Sequence, residues 1–394
     1  MILDWFQLSF MEWVLVAFLQ FVFFIQLFFY IHYYRGILKQ SRRIHKGKVV
    51  LEKAQPPVTV IICARDQAEN LEIHLPAILD QNYPEFQVVV VNDASTDETE
   101  NVLNRFVQIY PNLYHTFVPE GVQSVSAKKM AMSIGIKAAK FDILLFTEAN
   151  CTPNSREWIA SMMRHFDANC GIVLGFSSYL ERKGLLNRLI SYDTLFSSIQ
   201  YMGFSESGKP YMGIGRNLAY RKELFFKNRG FASYLYLQSG EDDLFIGEVA
   251  NSTNTRIEIS PESKVYSNTS NVWNHWKEMK KNHISTSAYY KAGTQFRTGT
   301  EILSRFLFYG LFAVLLVMGL IKGNIPLIVF AGGLFIIRYT IQFIILNRSA
   351  KCLNERRHYF FIALFDTILP FISFWFKIEK LFQRGDTYTW KVLH

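Results

Sequence analysis

An uncharged run near the start of the chain constrains its architecture more than any other feature. Residues 13–34 read WVLVAFLQFVFFIQLFFYIHYY and contain no Asp, Glu, Lys or Arg. A helix needs roughly 20 apolar residues to cross a bilayer, and this run is long enough. A cleaved signal peptide is the alternative, but Asp4 and Glu12 precede the run in place of a basic cluster, and no small-residue cleavage site follows. We therefore predict a membrane-spanning helix.

The charges around this run predict its orientation. Six basic residues follow it closely, and such residues flank spans on the cytoplasmic side: Arg35, Lys39, Arg42, Arg43, Lys46 and Lys48. We predict an integral protein of the inner or plasma membrane, with the domain that follows this run in the cytoplasm. The four cysteines form no CxxC pair, so neither a disulfide framework nor a zinc site is predicted. Because the basic residues cluster beside apolar segments, no nucleic-acid partner is expected.

Hydropathy divides the chain into three predicted regions. Residues 1–50 form the N-terminal transmembrane helix and a basic linker, and residues 51–295 alternate short apolar runs with polar helical segments, as α/β domains do. Residues 296–394 return to apolar character and predict two to three transmembrane helices. Arg338 and Asp366 interrupt these segments and indicate either functional charges or a tilted, interfacial helix. If all three helices crossed, a basic tail would end outside, so we expect one of them not to cross.

Two β-branched runs predict neighbouring parallel strands with polar residues at their ends. VTVIICA spans residues 58–64 and FQVVVVN spans residues 86–92. Ala64 ends the first strand, Arg65 and Asp66 follow it, and Asp93 follows the second strand. Ligands of open parallel sheets bind beyond the carboxyl ends of the strands, so these residues should face one crevice. Asp93 could accept a hydrogen bond from a base or ribose there, or simply cap a helix.

Six segments in one order resemble the family 2 glycosyltransferases, which have the GT-A fold. VTVIICARDQAENL is similar to that family's opening strand and turn, and VVVVNDASTDET to its nucleotide-binding VDDGSTD segment. AKKMAMSIGIKAA is similar to the GKxxALNxG helix, and DILLFTEANCTPNS occupies the place of the TDADCxP metal-binding turn. PYMGIGRNLAYRKELF and SGEDDLF resemble the acceptor-side segment and the ED motif. The resemblance implies an α/β, Rossmann-like nucleotide-sugar-binding domain.

The resemblance also implies roles for individual residues. Lys128 and Glu148, with Ala64, Arg65, Asp66 and Asp93, would bind the nucleotide sugar, linked to UDP or GDP. Glu148 and Asn150 would hold a divalent metal, Mg²⁺ or Mn²⁺, at the diphosphate. Asp242 would be the catalytic base, with Asp243 as the competing assignment and Glu241 beside them. Gly213, Asn217 and His283 would lie on the acceptor side, where His283 either contacts the diphosphate or is merely solvated.

Two departures from the family pattern define the alternatives. The metal turn reads Glu-Ala-Asn where the family has two aspartates, and a short amide is a weaker ligand than a carboxylate. The processive QxxRW motif is replaced by the residues 279–283, MKKNH, so long-chain synthesis is not expected. We predict an inverting transferase of cell envelope glycan biosynthesis that acts on a lipid or lipid-linked glycan acceptor at the cytoplasmic membrane face. The alternative is a catalytically impaired membrane protein that binds a nucleotide sugar or a partner enzyme.

Overall fold

The computed structural model describes residues 8–49, 51, 55–119, 126–269 and 271–382, and they build an α/β domain and a bundle of long apolar helices. Seven strands form a mixed sheet in the order β3-β2-β1-β4-β8-β6-β9, and three form a small sheet in the order β5-β10-β7. The strands are β1 Val58–Ala64, β2 Phe86–Asn92, β3 Leu113–Phe117, β4 Ile143–Phe146, β5 Cys151–Pro153, β6 Ile172–Leu174, β7 Ser177–Tyr179, β8 Leu218–Arg221, β9 Thr255–Ile257 and β10 Val265–Ser267.

Thirteen α-helices are described, and a π-helical segment, Phe29–Tyr34, joins the first two. The helices are α1 Phe10–Phe28, α2 Gly36–His45, α3 Ala68–Leu79, α4 Thr99–Ile109, α5 Ala127–Ala138, α6 Trp158–Met163, α7 Leu185–Glu206, α8 Lys222–Lys227, α9 Asp243–Val249, α10 Val272–Thr286, α11 Ala292–Lys322, α12 Ile325–Cys352 and α13 Phe361–Phe382. The predicted domain boundary at residue 295 falls in the first turn of α11, and the division into three regions stays a prediction.

The two predicted strands occupy the middle of the large sheet, as their uninterrupted β-branched runs require. β1 pairs in parallel with β2 on one side and with β4 on the other. The backbone N–H of Asp93 donates to the carbonyl of Ala64 at 2.8 Å, and that of Thr147 donates to Ile61 at 3.3 Å. The loops after these three strands therefore leave the sheet at one edge, as expected for parallel strands.

The α/β domain packs directly on the ends of the long apolar helices. One hydrophobic core on the sheet continues through α7 to the π-helical segment, α12 and α13. Two glycines permit the closest approach: a Cβ on Gly203 would lie 2.3 Å from the carbonyl oxygen of Tyr33, and one on Gly36 would lie 2.6 Å from the Cα of Gly203. Since protein interiors are close-packed, any larger side chain at Gly203 would separate α7 from the segment after α1.

Four helices of the described chain are long and apolar enough to cross a membrane, namely residues 10–45, 292–322, 325–352 and 361–379. The first packs against α11 and α12 through a shared apolar core, which fits a span in a helical bundle. The fourth, α13, contacts the α/β domain at both ends. At its start the Arg188 guanidinium lies 4.3 Å from the Phe361 ring, and near its end Glu379 pairs with Lys277 at 3.2 Å and Lys281 at 2.9 Å.

The two charges predicted inside the apolar helices are paired with each other. Arg338 lies 2.9 Å from Asp366, and Arg305 of α11 contacts the other oxygen of Asp366 at 3.2 Å. Glu301 pairs with Arg305 at 3.3 Å, and the Tyr309 hydroxyl donates to Asp366 at 2.7 Å. All four charged side chains are buried. The charges of two guanidinium groups and two carboxylates balance, so this four-charge network needs no further ion to be neutral.

Candidate functional site

The loops after β1 and β2 are tied together by Asp66. Its backbone has a φ of +49°, in the left-handed region that Asp tolerates better than most residues. One oxygen of Asp66 accepts hydrogen bonds from the backbone N–H of Thr96 at 2.6 Å and of Asp97 at 3.3 Å, and its own N–H donates to Ser95 at 2.9 Å. Asp66 therefore shapes the crevice wall, and Ala64 is buried at the end of β1 below it.

Asp93 and Arg65 retain unused hydrogen-bonding capacity in this crevice. Asp93 is 3% exposed, yet its Oδ2 has no hydrogen-bond partner among the described residues, and neither does the Nε of Arg65. Burial raises the pKa of Asp93, and the charge of Arg65 opposes that rise. Buried polar groups in native proteins are nearly always paired, so an unpaired carboxylate oxygen beside an unpaired guanidinium nitrogen indicates a ligand with both donors and acceptors.

Lys128 joins the two acidic centres that the sequence places far apart. It lies in the first turn of α5, and its Nζ is 2.9 Å from Glu241 and 3.4 Å from Glu148. Burial opposes its charge, but Glu241, Glu148 and Asp242 together raise the pKa of Lys128 well above the ordinary value. The ammonium group therefore stays charged at any pH where the protein would work.

The turn after β4 carries the two predicted metal ligands, Glu148 and Asn150, with Ala149 between them. Burial opposes ionisation of Glu148, but Lys128, His275 and Arg216 more than compensate and lower its pKa. Within the described chain no three His, Cys, Asp or Glu side chains converge as a complete metal cage would. Two carboxylates do converge on the Lys128 ammonium, a position where positive charge is stabilised. Because Mg²⁺ usually takes one or two carboxylates plus substrate phosphates, these donors fit a cation that arrives with a diphosphate.

Three consecutive acids open α9, and their environments differ. Glu241 and Asp243 are buried, whereas Asp242 is partly exposed. Asp243 accepts hydrogen bonds from the hydroxyls of Thr286 and Tyr290, the latter at 2.8 Å. Asp242 Oδ2 accepts the backbone N–H of Gly215 at 2.9 Å. Of the three, Asp242 alone is open to a substrate.

The electrostatics of Asp242 suit a proton acceptor. Burial, followed by the negative charges of Glu241 and Asp243, raises the pKa of Asp242 to about 6. A carboxylate with that pKa is ionised near neutral pH and is a better base than an ordinary aspartate. Burial lowers the pKa of His283, although the nearby Asp242 carboxylate opposes this, so the imidazole faces Asp242 as a neutral group near pH 7.

The residues predicted for the acceptor side have different environments. A Cβ on Gly213 would meet Leu218 at 3.0 Å, so this glycine allows close packing. Asn217 is 1% exposed and uses its side chain within the fold: it accepts from Trp158 at 3.0 Å and donates to the carbonyls of Phe176 and Ser263. His283 is the member of this set that lies beside the predicted base.

Arg216 belongs to the site although no sequence argument singled it out. It is 2% exposed, and its guanidinium lies 4.8 Å from the Tyr179 ring, while its Nη1 has no hydrogen-bond partner among the described residues. The Tyr179 hydroxyl lies 3.0 Å from His275. A charged residue between Gly215 and Asn217 in an otherwise apolar segment is the signal that could have indicated it.

The predicted donor and base residues meet in one region at the carboxyl edge of the sheet. The Cys63 thiol, at the end of β1, lies within electrostatic reach of Lys128, Asp93, Glu241 and Glu148. Lys128 in turn lies within reach of Asp242. An anion-binding lysine, an unpaired buried aspartate and a partly exposed basic carboxylate are thereby close to one another. This arrangement can hold a charged group while a proton is removed beside it.

Comparison with known proteins finds glycosyltransferase similarity in this region. The Glycosyl transferase family 2 model matches residues 59–227. Glycosyltransferase AglE of Haloferax volcanii is 32% identical over 106 residues, which are 26% of this chain and 33% of that protein. Probable glycosyltransferase YdaM of Bacillus subtilis is 26% identical over 168 residues, 41% of this chain and 39% of that protein. The matches thus span between a third and two fifths of these relatives.

A solved structure extends the similarity over nearly the whole chain. The mannosyltransferase PcManGT from Pyrobaculum calidifontis, solved in complex with GDP-Man and Mn²⁺, aligns with a TM-score of 0.55 at 18% identity. The alignment covers 93% of this chain and 100% of that one. At this identity the likeness establishes the fold. It confirms the predicted GT-A fold, and the long apolar helices are shown by this structure itself.

Proposed function

We propose that this chain, whose residues 59–227 match the Glycosyl transferase family 2 model, moves a sugar from a nucleotide diphosphate to a lipid-linked acceptor with inversion. The observation that carries the proposal is Lys128, whose ammonium lies between Glu148 and Glu241 and within reach of Asp242. A leaving diphosphate needs such a cation, and the attacking hydroxyl needs the adjacent carboxylate.

The donor would bind across the loops after β1 and β2. Asp93 would accept a hydrogen bond from the base or ribose with its unpaired Oδ2, and Arg65 would contact the same nucleotide. Lys128 would reach the diphosphate, and Arg216 offers a second buried donor with a free N–H. The complex of the similar mannosyltransferase with GDP-Man supports a nucleotide-diphosphate sugar, UDP- or GDP-linked, as the donor.

A divalent metal, Mg²⁺ or Mn²⁺, would be held by Glu148 and Asn150 together with the diphosphate, and it would neutralise the leaving group. The Mn²⁺ in the similar mannosyltransferase supports this assignment. Asp242 would remove the acceptor proton, and the Gly215 N–H would keep its carboxylate oriented towards the reacting centre. Glu241 would hold Lys128 in place, and Asp243 would fix the loop against α10 and Tyr290.

The membrane placement is part of the proposal. α1, the later part of α11 and the first part of α12 would cross the bilayer, and α13 would lie along the domain because both of its ends contact it. With an external N-terminus, the first crossing would place the α/β domain on the cytoplasmic side, and the second and third would return the chain to that side before Arg356. The basic residues around Arg356 would then be cytoplasmic, where basic residues flanking membrane spans are usually found. The acceptor would then be presented from the inner leaflet.

Transfer by the purified, detergent-solubilised protein tests the function. We expect one UDP- or GDP-linked sugar of a panel to be consumed in the presence of Mn²⁺ and a membrane lipid extract, with a glycolipid as product. The Glu-Ala-Asn turn favours a second candidate, a nucleotide-sugar-binding protein without turnover. Tight donor binding with no consumption of any sugar would establish that alternative.

The carboxylate of Asp93, whose Oδ2 is unpaired among the described residues, leads to a prediction for donor binding. Replacing Asp93 with Ala should weaken the affinity for the matching nucleotide diphosphate about 10- to 100-fold, the usual cost of losing a hydrogen bond to a charged group. Isothermal titration with UDP and GDP measures it. Asp80→Ala, which removes an exposed aspartate at the end of α3, is the control. Unchanged affinity in the Asp93 variant would place the nucleotide elsewhere.

The metal assignment leads to a second prediction. Glu148→Gln should raise the Mn²⁺ concentration for half-maximal activity about 10- to 100-fold, because even the hydrogen-bonding partners of metal ligands change metal affinity by such factors. A Mn²⁺ titration of initial rates measures the shift, with exposed Glu262→Gln as the matched control. An unaltered Mn²⁺ requirement in the Glu148 variant would remove this residue from the metal site.

A further inference from the structure

Two neighbouring cavities lie along the start of α11, outside the nucleotide region. The first has a volume of about 160 Å³ and walls rich in tyrosine, including Tyr211, Tyr234, Tyr236, Tyr289 and Tyr290. The second is an apolar groove of about 490 Å³ between α1 and α11. Phe21, Phe24, Phe28 and Phe296 line it, with Tyr33 and Arg297. We call them the tyrosine pocket and the lipid-facing groove.

The groove runs from the domain surface into the membrane layer. α1 and α11 contact each other along their length, and Gln26 of α1 donates to Ser304 of α11 at 2.7 Å. Tyr33 and Arg297 therefore lie at the end of the groove nearest the α/β domain, while Phe21 lies deepest. At 1.5 Å per residue, the stretch from Phe21 to Tyr33 is about 18 Å long. Its shallow end is the π-helical segment, a distortion frequent at functional sites.

Two cations stand where the pocket and the groove meet. Thr294 lines the pocket, Arg297 lines the groove, and the guanidinium of Arg297 donates to the Thr294 hydroxyl at 3.2 Å. Lys291 lines the pocket and donates to the carbonyl of Glu248 at 3.3 Å. Neither cation has an acidic partner within the described residues, unlike Lys277 and Lys281 nearby, which share Glu379. Unpaired positive charge at the mouth of an apolar groove complements a lipid with an anionic head.

One wall of the tyrosine pocket adjoins the acids at the start of α9. Its wall residue Tyr290 donates to Asp243, the neighbour of Asp242. The hydroxyl of Tyr234 is buried without a partner among the described residues, so the pocket still offers a polar group to a ligand. Tyr236 and Tyr289, both more than half exposed, stand with ring centroids 6.0 Å apart at its rim. Aromatic faces with hydroxyl groups suit a polar head such as a sugar ring.

We propose that the two cavities form one acceptor track for a lipid phosphate. The hydrocarbon chain lies in the lipid-facing groove, the phosphate is held by Lys291 and Arg297, and the head group extends through the tyrosine pocket towards Asp242. This inference rests on the proposed transferase function and adds the acceptor's class and place. The anionic phosphate distinguishes this lipid from the bulk zwitterionic lipids that surround any membrane helix.

Photolabelling tests the track with the full-length protein in phosphatidylcholine nanodiscs. The probes are hexadecyl phosphate and hexadecanol, each with a diazirine in the chain. We expect the phosphate probe to label peptides 21–33 and 289–300. The yield should fall about fivefold in Arg297→Ala and further in Lys291→Ala/Arg297→Ala, as expected for loss of one or two cations near a membrane surface. Thr300→Trp, which fills the groove, should reduce labelling by both probes.

Controls separate this inference from ordinary lipid contact and from the proposed function. Arg42→Ala removes an exposed cation of α2 and should leave labelling unchanged. Equal labelling by the alcohol, or no effect of the charge variants, would overturn the inference, as would labelling confined to other peptides. Donor binding is measured in parallel. If wild type neither binds nor consumes any nucleotide sugar while phosphate-selective labelling persists, the transferase proposal fails and the lipid site stands.

Discussion

An Asp242→Asn variant is expected to lose about 100- to 10,000-fold in kcat, the usual contribution of a general base. Asparagine keeps the size of the side chain and can still accept the Gly215 N–H, but it cannot take a proton. Donor affinity should change little, because in the proposed function the donor would contact Lys128 and Asp93 rather than this carboxylate. Initial transfer rates and nucleotide titration of the same preparation measure the two quantities separately.

The pH dependence identifies which of the neighbouring acids acts. With the pKa of Asp242 raised to about 6, wild-type kcat/KM should fall about tenfold per pH unit below pH 6, as the base becomes protonated. Asp243→Asn removes a negative neighbour, so the pKa of Asp242 should fall and the acid limb should move to lower pH. Its amide oxygen can still accept from Thr286 and Tyr290, and most activity should remain. If Asp243→Asn instead loses as much activity as Asp242→Asn, the base is Asp243.

The central strands and the crevice could be predicted from the sequence because they follow from local pattern. Uninterrupted β-branched runs such as residues 58–64 must be buried on both faces, and a buried parallel strand places its last residues at the ligand-binding edge. Lys128, Glu148 and Asp242 could be predicted as site residues from the order of the motifs that carry them. Their mutual contacts were not, since Lys128 approaches Glu241 only after more than 100 residues of intervening chain have folded.

Neither Arg216 nor the ends of the apolar helices could be predicted, because both depend on contacts between residues that are distant in the chain. Arg216 is stabilised by Tyr179 of β7 and by Met279 of α10, and neither partner is near it in the chain. The uncharged run in this part of the sequence spans residues 306–321, but α11 begins at Ala292. A hydropathy pattern treats the charged residues Glu301 and Arg305 as solvent-exposed. In the structure they are buried, because they form ion pairs with each other and with Asp366.

Contacts between distant residues also fix the position of α13. Its composition suits a span, yet its start packs on Arg188 of α7 and its Glu379 pairs with two lysines of α10. A helix held to the domain at both ends leaves an apolar face exposed, with Phe371, Phe374 and Trp375, and in the proposed placement this face would meet the lipid. The expectation that one C-terminal segment does not cross stays a prediction. The contacts at both ends keep Asp366 at the level where α7 reaches the four-charge network.

Removing the carboxylate of that network should destabilise the protein strongly. Asp366→Ala leaves Arg338 and Arg305 buried with one acid between them, and breaking a buried pair in this way typically costs about 3–5 kcal/mol. We expect a thermal midpoint in detergent that is lower by roughly 10 °C. Donor affinity measured at low temperature should stay unchanged, because the network lies outside the nucleotide crevice.

A second substitution tests whether charge balance is the cause. In Asp366→Ala/Arg338→Met the remaining Arg305 and Glu301 pair one to one, so the double variant should recover most of the lost stability although it lacks two native contacts. Loss of packing alone predicts the opposite, since each truncation would add its own cost. A double variant less stable than Asp366→Ala would therefore refute the electrostatic explanation. If Asp366→Ala has the same thermal midpoint as wild type, Arg338 must be hydrogen-bonded to water or to another partner in that variant.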